Sequence, residues 1–274
     1  VDRNFNYLGS LLITSLLTEE PEQMVEKFIS NDFSKPVSAE TDESEVALLF
    51  EQRNLISAPV IDEDNQLVGR ITIDDVVDVI RDQAEHSVMS MVGLDEDEDV
   101  FAPIIHSSKK RSVWLGVNLI TALIAVYFIG LFEATLQQKI ALAILMPVVA
   151  SMGGIAGTQT LIIVTRGIAT GKVTTANIKA LINKEVAVSG LNGIIWSLVI
   201  GLITYYWFSD LLLSLIIALA IITNLIVAAF SGAFLPLLLS KLRIDPALAG
   251  GVILTTITDV IGFVAFLGLA ALFI

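Results

Sequence analysis

From Trp114 onward, apolar residues crowd into five stretches, roughly Trp114–Phe132, Ile140–Val164, Val186–Phe208, Leu211–Leu239 and Ala247–Ile274. Each is long enough to cross a hydrocarbon core of about 30 Å as a helix rising about 1.5 Å per residue. Before Arg111 the pattern changes to short alternating runs broken by acidic and Asn-rich turns. That spacing belongs to a small mixed unit of strands and helices. The two patterns predict an α-helical polytopic membrane protein, with five transmembrane helices per subunit, preceded by a small α/β domain.

Charge divides at the same place. Up to Arg111 there are 24 acidic and 9 basic residues, and after it 5 acidic and 7 basic. The acidic half disfavours nucleic acid as a partner and suits cations. Loop charges set the orientation. Lys109, Lys110 and Arg111 precede the first span, Arg166, Lys172, Lys179 and Lys184 lie between the second and third, and Lys241 and Arg243 between the fourth and fifth. The opposite loops carry Lys139 with Glu133 and Asp210. The positive-inside rule then predicts a multi-pass protein of the cell (inner or plasma) membrane, its N-terminal domain cytoplasmic and its C-terminus outside.

One residue defies this economy. From Pro246 to Ile274 the only charged side chain is Asp259, about 18 Å up a helix that starts near Ala247. A carboxylate there costs roughly 2.5–3.5 kcal/mol on insertion scales. It is either protonated and bonded to a neighbouring helix, or it faces a water-filled path. Thr255 and Thr256 lie one turn before it, and Gly262 is expected to leave the face open one turn beyond. With no Cys and only two His, the available ligands are oxygens. Such a set suits Mg²⁺, Ca²⁺, Mn²⁺, Na⁺ or H⁺ and disfavours zinc or copper. The second span carries Pro147 and then SMGGIAGTQT, with Gly153, Gly154 and Gly157 beside Thr158. This is either a close helix contact or a locally opened helix lining the path. In the fourth span, Asn224 and Pro236 predict a helix–helix hydrogen bond and a kink.

The soluble half repeats itself. VDRNFNYLGSLLIT from Val1 aligns with IDEDNQLVGRITID from Ile61 at a constant offset of 60 residues, predicting strand, turn, strand and helix in each copy. SAPVIDEDNQLVGRITIDDVVDVI resembles the second half of a CBS module, an α/β unit that works in pairs. The second copy is expected to be complete from about Lys35 to Asp82, and the first only from its central strand onward, as if the chain began inside a longer protein's first module. In nucleotide-binding CBS modules a Thr-x-x-Asp holds ribose, which points to Thr72 and Asp75 and to ATP as a ligand. The alternatives are a divalent cation among Asp74, Asp75 and Asp78, or a helix N-terminus favoured by acids. The run DEDED, Asp95 to Asp99, reads as a solvated linker, and Val76–Gly93 has helical spacing that could carry a signal towards the membrane.

PVVASMGGIAGTQTLIIVTRGIATG, LPLLLSKLRIDPALAGGVILTTITDVIGF and GLFE at Gly130–Glu133 resemble the span signatures of the MgtE family of magnesium channels and transporters. The resemblance covers essentially the whole chain. It implies no enzyme but a homodimeric, channel-like Mg²⁺ pathway in the lipid bilayer, formed by the second and fifth spans and gated by cytosolic Mg²⁺. Mg²⁺ is then both cargo and regulator, other divalent cations are partners, and ATP is a further candidate at the CBS module. By residue, it implies Asp259 as the ligand of hydrated Mg²⁺, Glu133 and Asp245 as acids near the ends of the path, and Asp75 and Asp78 as regulatory ligands. Thr255, Thr256, Gly153, Gly154, Gly157 and Thr158 would line the pore. Many members carry Asn where this chain has Ile155. The alternatives are a Na⁺- or H⁺-coupled exchanger and a nucleotide-regulated cation transporter. The expected divisions are a partial first CBS module (1–32), a second CBS module (33–85), an acidic linker (86–111) and a five-helix pore domain (112–274), making the α/β unit a cytosolic CBS-type domain.

Overall fold

The computed structural model describes residues 1–11, 13–18, 20, 22–29, 35–90, 93–94, 101–174, 176–242 and 244–274, so the DEDED run and Arg243 lie outside it. The chain divides into two compact units, Val1–His86 and Ser87–Ile274.

The first unit is built on a three-stranded sheet. Strand β1 (Val37–Ser38) leads through α2 (Glu43–Arg53) to β2 (Ser57–Ile61), which lies parallel to it, and β2 turns back into antiparallel β3 (Leu67–Thr72). A short helix α1 (Ile13–Thr18) precedes the sheet and α3 (Ile73–Ser90) follows it. Helix α2 is bounded by its own sequence. The Asp42 carboxylate accepts from the Ser44 N–H at 2.9 Å, and Asn54 closes the other end in a left-handed conformation. Its apolar face, Val46, Ala47 and Phe50, meets Val37, Leu55, Ala58 and Val76 in one buried cluster.

The internal repeat is a repeat of one turn. Asp62 accepts from the N–H groups of Asp64 and Gln66, and Asp2 accepts from those of Asn4 and Asn6. The left-handed residues Phe5 and Asn65 stand at the same offset. The two turns also pair with each other: Tyr7 N–H donates to the Asn65 carbonyl at 3.0 Å, and Leu67 N–H to the Phe5 carbonyl at 2.9 Å. The expected strands around the first turn do not form among the described residues, where isolated bridges at Asn6, paired with Gln66, and at Ser10 stand in their place. A strand needs a continuous hydrogen-bonding neighbour, and the Asp62–Gln66 turn offers only the bridge to Asn6.

The second unit holds α4 (Ile104–Gly130), the short α5 (Glu133–Gln138), α6 (Ile140–Ala169), α7 (Ile178–Phe208), α8 (Leu211–Lys241) and α9 (Pro246–Phe273). Five of these are long and apolar enough to cross a membrane. Tyr206 and Trp207 are exposed at the end of α7, as expected of side chains at a membrane–water interface. Helix α8 is the hub: it packs against α6, α7 and α9, and half of its most apolar stretch is buried, whereas α4 packs on α9 and is almost wholly exposed. The main cluster joins Leu142, Leu145 and Val149 of α6 to Ile217 and Ile221 of α8 and Phe266 and Leu267 of α9.

Lipid gives helices no hydrophobic reason to associate, so small residues and interhelical hydrogen bonds take over. At Gly232 of α8 an added Cβ would lie 2.6 Å from the Gly157 carbonyl oxygen and 3.2 Å from the Leu161 nitrogen, so two backbones touch there. Asn224, fully buried on α8, donates to the Val149 carbonyl of α6 at 2.9 Å, which is the expected helix–helix bond. At the far end, Lys139 pairs with Asp210, which also caps α8 by accepting from the Leu213 N–H at 3.0 Å. That N–H first, and Lys139 second, hold the Asp210 carboxyl below its ordinary range.

Gly232→Ala should lower the melting temperature of the detergent-solubilised protein, because the obstruction is backbone and cannot rotate away. Gly190→Ala meets nothing within 4 Å and should match or slightly exceed the wild type. Asp210 contributes stability above the unfolded carboxyl value of about 3.9, and loses it as pH falls through the depressed folded value. Melts of wild type and Asp210→Asn should differ at neutral pH and converge below about pH 4. A gap independent of pH would refute the ionic role.

Candidate metal centre

Helix α9 forms because nothing in Pro246–Phe273 interrupts it: Pro246 stands at its first position, where no N–H is required. Its buried line, Gly250, Leu254, Thr258, Gly262 and Phe266, faces the rest of the protomer. Asp259 stands beside that line, half-buried, and among the described residues its carboxylate has no hydrogen bond or ion pair. The threonines before it are turned inward chemically. Thr255 donates to the Gly251 carbonyl at 2.9 Å and Thr256 to that of Val252 at 2.8 Å, while buried Thr258 donates to the Thr255 carbonyl. With their protons committed to the helix, these hydroxyls offer only lone pairs. Next to a carboxylate they form a wall of acceptors, suited to the water protons of a hydrated cation.

Helix α6 runs unbroken from Ile140 to Ala169, so the glycine segment is a contact surface and not an opened helix. Gly153 is buried against Asn224 and Gly157 against Leu254, whereas Gly154 meets nothing within 4 Å. Gly262 does not leave open space beyond Asp259: a Cβ there would lie 2.6 Å from the Asn224 amide nitrogen. One buried amide thus occupies the notch made by Gly153 and Gly262. Its oxygen has no hydrogen-bond partner among the described residues.

Thr158 and Thr255 share a cleft of about 590 Å³ between α4, α6 and α9, with Asn118 and Arg111 on its α4 side. Sequence periodicity had no means of finding Asn118 and Arg111 there. Glu133 opens α5 and accepts from the Gln137 amide at 3.1 Å. Asp245 lies just before α9, apart from any acidic group of three or more that could hold a metal ion, none of which occurs among the described residues. Glu185 is buried inside α7 with Lys184 at 3.4 Å.

In the first unit, Asp75 accepts from both the N–H and the hydroxyl of Thr72, at 2.9 and 2.8 Å. The bond to the Thr72 N–H is one half of a capping box and satisfies a free donor at the start of α3. The Thr72 N–H first, and its hydroxyl second, hold the Asp75 carboxyl below its usual range. Asp78 lies one turn further along α3. Both bonds fall on Oδ2, so Oδ1 can meet a ligand without displacing them.

Residues 146–269 match the family model of MgtE, a divalent cation transporter, and residues 25–82 match the CBS domain. Most of the membrane half thus matches the MgtE family model. A curated relative, the magnesium transporter MgtE of Bacillus subtilis, is 32% identical over 276 residues, covering 100% of this chain and 60% of its own length. MgtE of Thermus thermophilus is 30% identical over 275 residues and that of Enterococcus faecalis 27% over 273, each again covered for 60% of its length. The chain therefore spans about 60% of the curated relatives that it matches. The matching family model describes divalent cation transporters, and the curated relatives are named as magnesium transporters.

Asp75→Ala should loosen the start of α3, read as faster hydrogen exchange at the Thr72 amide in the full chain. Unchanged exchange there would mean that the capping bond does not hold the start of α3.

Proposed function

We propose that this chain conducts Mg²⁺ across the membrane, with two copies pairing so that α6 and α9 line a shared path. The observation that carries the proposal is Asp259, a carboxylate in the middle of an apolar helix, half-buried and unpartnered among the described residues. Mg²⁺ surrenders its water reluctantly. A site of one carboxylate per copy, with acceptor-only threonines beside it, holds such an ion through its water shell and leaves it free to move on. Ser151, Thr158 and Gln159 are exposed on α6. Polar groups facing hydrocarbon are unfavourable, which supports a second copy or water against that face. Ile155, also exposed, leaves this path without the amide that many members carry.

The charge of the loops supports a cytoplasmic CBS domain, with Asp75 and Asp78 as the regulatory Mg²⁺ ligands. The path is closed when cytosolic Mg²⁺ screens the acidic domain and open when it does not. ATP at Thr72 and Asp75 is the second candidate ligand, and calorimetry with each on the whole protein distinguishes them. Glu133 and Asp245 would attract the ion near the two ends of the path, and Gly154 would leave it room.

Entry is driven by the membrane potential, worth about 4.6 kcal/mol per 100 mV for a divalent ion. Reconstituted in liposomes, the protein should pass Mg²⁺ with no counter-gradient, and Asp259→Ala should abolish the flux while the protein elutes as wild type. Full flux in that variant would remove Asp259 from the path, and flux dependent on a Na⁺ or H⁺ gradient would replace the channel by an exchanger.

A further inference from the structure

The connection between α6 and α7 is a built turn. Gly171 adopts a left-handed conformation, Val173 folds back so that its N–H donates to the Gly167 carbonyl at 2.9 Å, and its side chain fills the space a Cβ on Gly167 would take. Asn177 staples the return, donating to the Lys172 carbonyl at 2.7 Å and accepting from the Thr174 N–H at 2.9 Å. Beneath this turn lies a cleft of about 440 Å³.

Its walls carry Arg166, Lys172 and Lys184 together with Ile163, Ala180 and Leu181. Lys184 is shared with Glu185, but Arg166 and Lys172 form no ion pair among the described residues. The carbonyl end of α6 would ordinarily repel an anion. Here the carbonyls of Arg166, Gly167 and Ile168 accept from the N–H groups of Thr170, Val173 and Gly171, so that field is partly satisfied locally. The cleft opens where two spans meet the boundary of the membrane, and Ile163 stays exposed on its rim. A cationic pocket with an apolar rim at that level fits a phosphate diester carrying acyl chains.

We propose that this cleft binds the headgroup of an anionic phospholipid, its phosphate held between Arg166 and Lys172 and its glycerol end lying against Ile163 and Leu181. Mg²⁺ conduction plays no part in the argument, so the site stands or falls independently of it.

The full chain, delipidated in mild detergent, is titrated with phosphatidylglycerol, phosphatidylcholine or inorganic phosphate at one ionic strength, and bound ligand is counted by native mass spectrometry. Phosphatidylglycerol should bind more tightly than phosphatidylcholine, and added salt should weaken only the former. Removing each charge should cost about fivefold, so Arg166→Gln with Lys172→Gln should weaken phosphatidylglycerol about 25-fold and leave phosphatidylcholine unchanged. Lys241→Gln, at the other basic connection, should have no such effect. Equal binding of the two lipids overturns the proposal, as does a Lys241→Gln loss equal to that of a single cleft substitution. Displacement of the lipid by equimolar inorganic phosphate would also overturn it, since the site would then recognise the free anion.

Discussion

Everything in the membrane half hangs on how closely α8 can approach its neighbours. In water, packed Leu and Ile faces would hold helices together by excluding solvent, but in lipid the unassociated helix is already solvated by hydrocarbon. What remains is close contact and a few polar bonds. The chain supplies both from α8: a backbone contact at Gly232 and an amide at Asn224 that reaches the Val149 carbonyl. The unpaired Asn224 oxygen carries a desolvation cost of about 1–3 kcal/mol, which the surrounding contacts offset. α4 is the least buried of the five long helices.

That scaffold explains why Asp259 is available at all. The hub occupies the buried line of α9, and Asn224 fills the notch at Gly262, so the carboxylate is displaced to the flank of the helix. The neighbouring hydroxyls are neutralised as donors by their own helix. Charge, acceptors and absence of a competing partner therefore coincide on one face, without any cluster of ligands being assembled.

Much of this could be read from sequence because the strongest signals are periodic or costly. Five apolar runs of spanning length admit few alternatives, and a carboxylate in the last of them announces itself by its expense. The 60-residue repeat survives as an identical hydrogen-bonded turn at Asp2 and Asp62, because the side chain that makes the turn is part of the repeated pattern. The strands around the first turn were not legible in the same way, since a strand's existence depends on its neighbour and not on its own alternation. Three-dimensional partners were equally hidden. Nothing in the spacing of Gly153, Asn224 and Gly262, separated by 71 and then 38 positions, says that they meet. Thr72 and Asp75 show the reverse problem: one short motif serves a helix cap, a ribose or a metal, and the letters are the same for all three.

The contact between Gly157 and Gly232 also restricts what the molecule can do as it moves. Rolling α6 by one residue, about 100°, would drive a side chain into the α8 backbone and tear the Val149 carbonyl from Asn224. The two helices therefore behave as staves glued edge to edge: they can tilt together, but neither can spin in its place. Any change in the cleft beside Thr158 is a change in the spacing between such panels, and the chemical face that each panel shows to that cleft stays constant throughout.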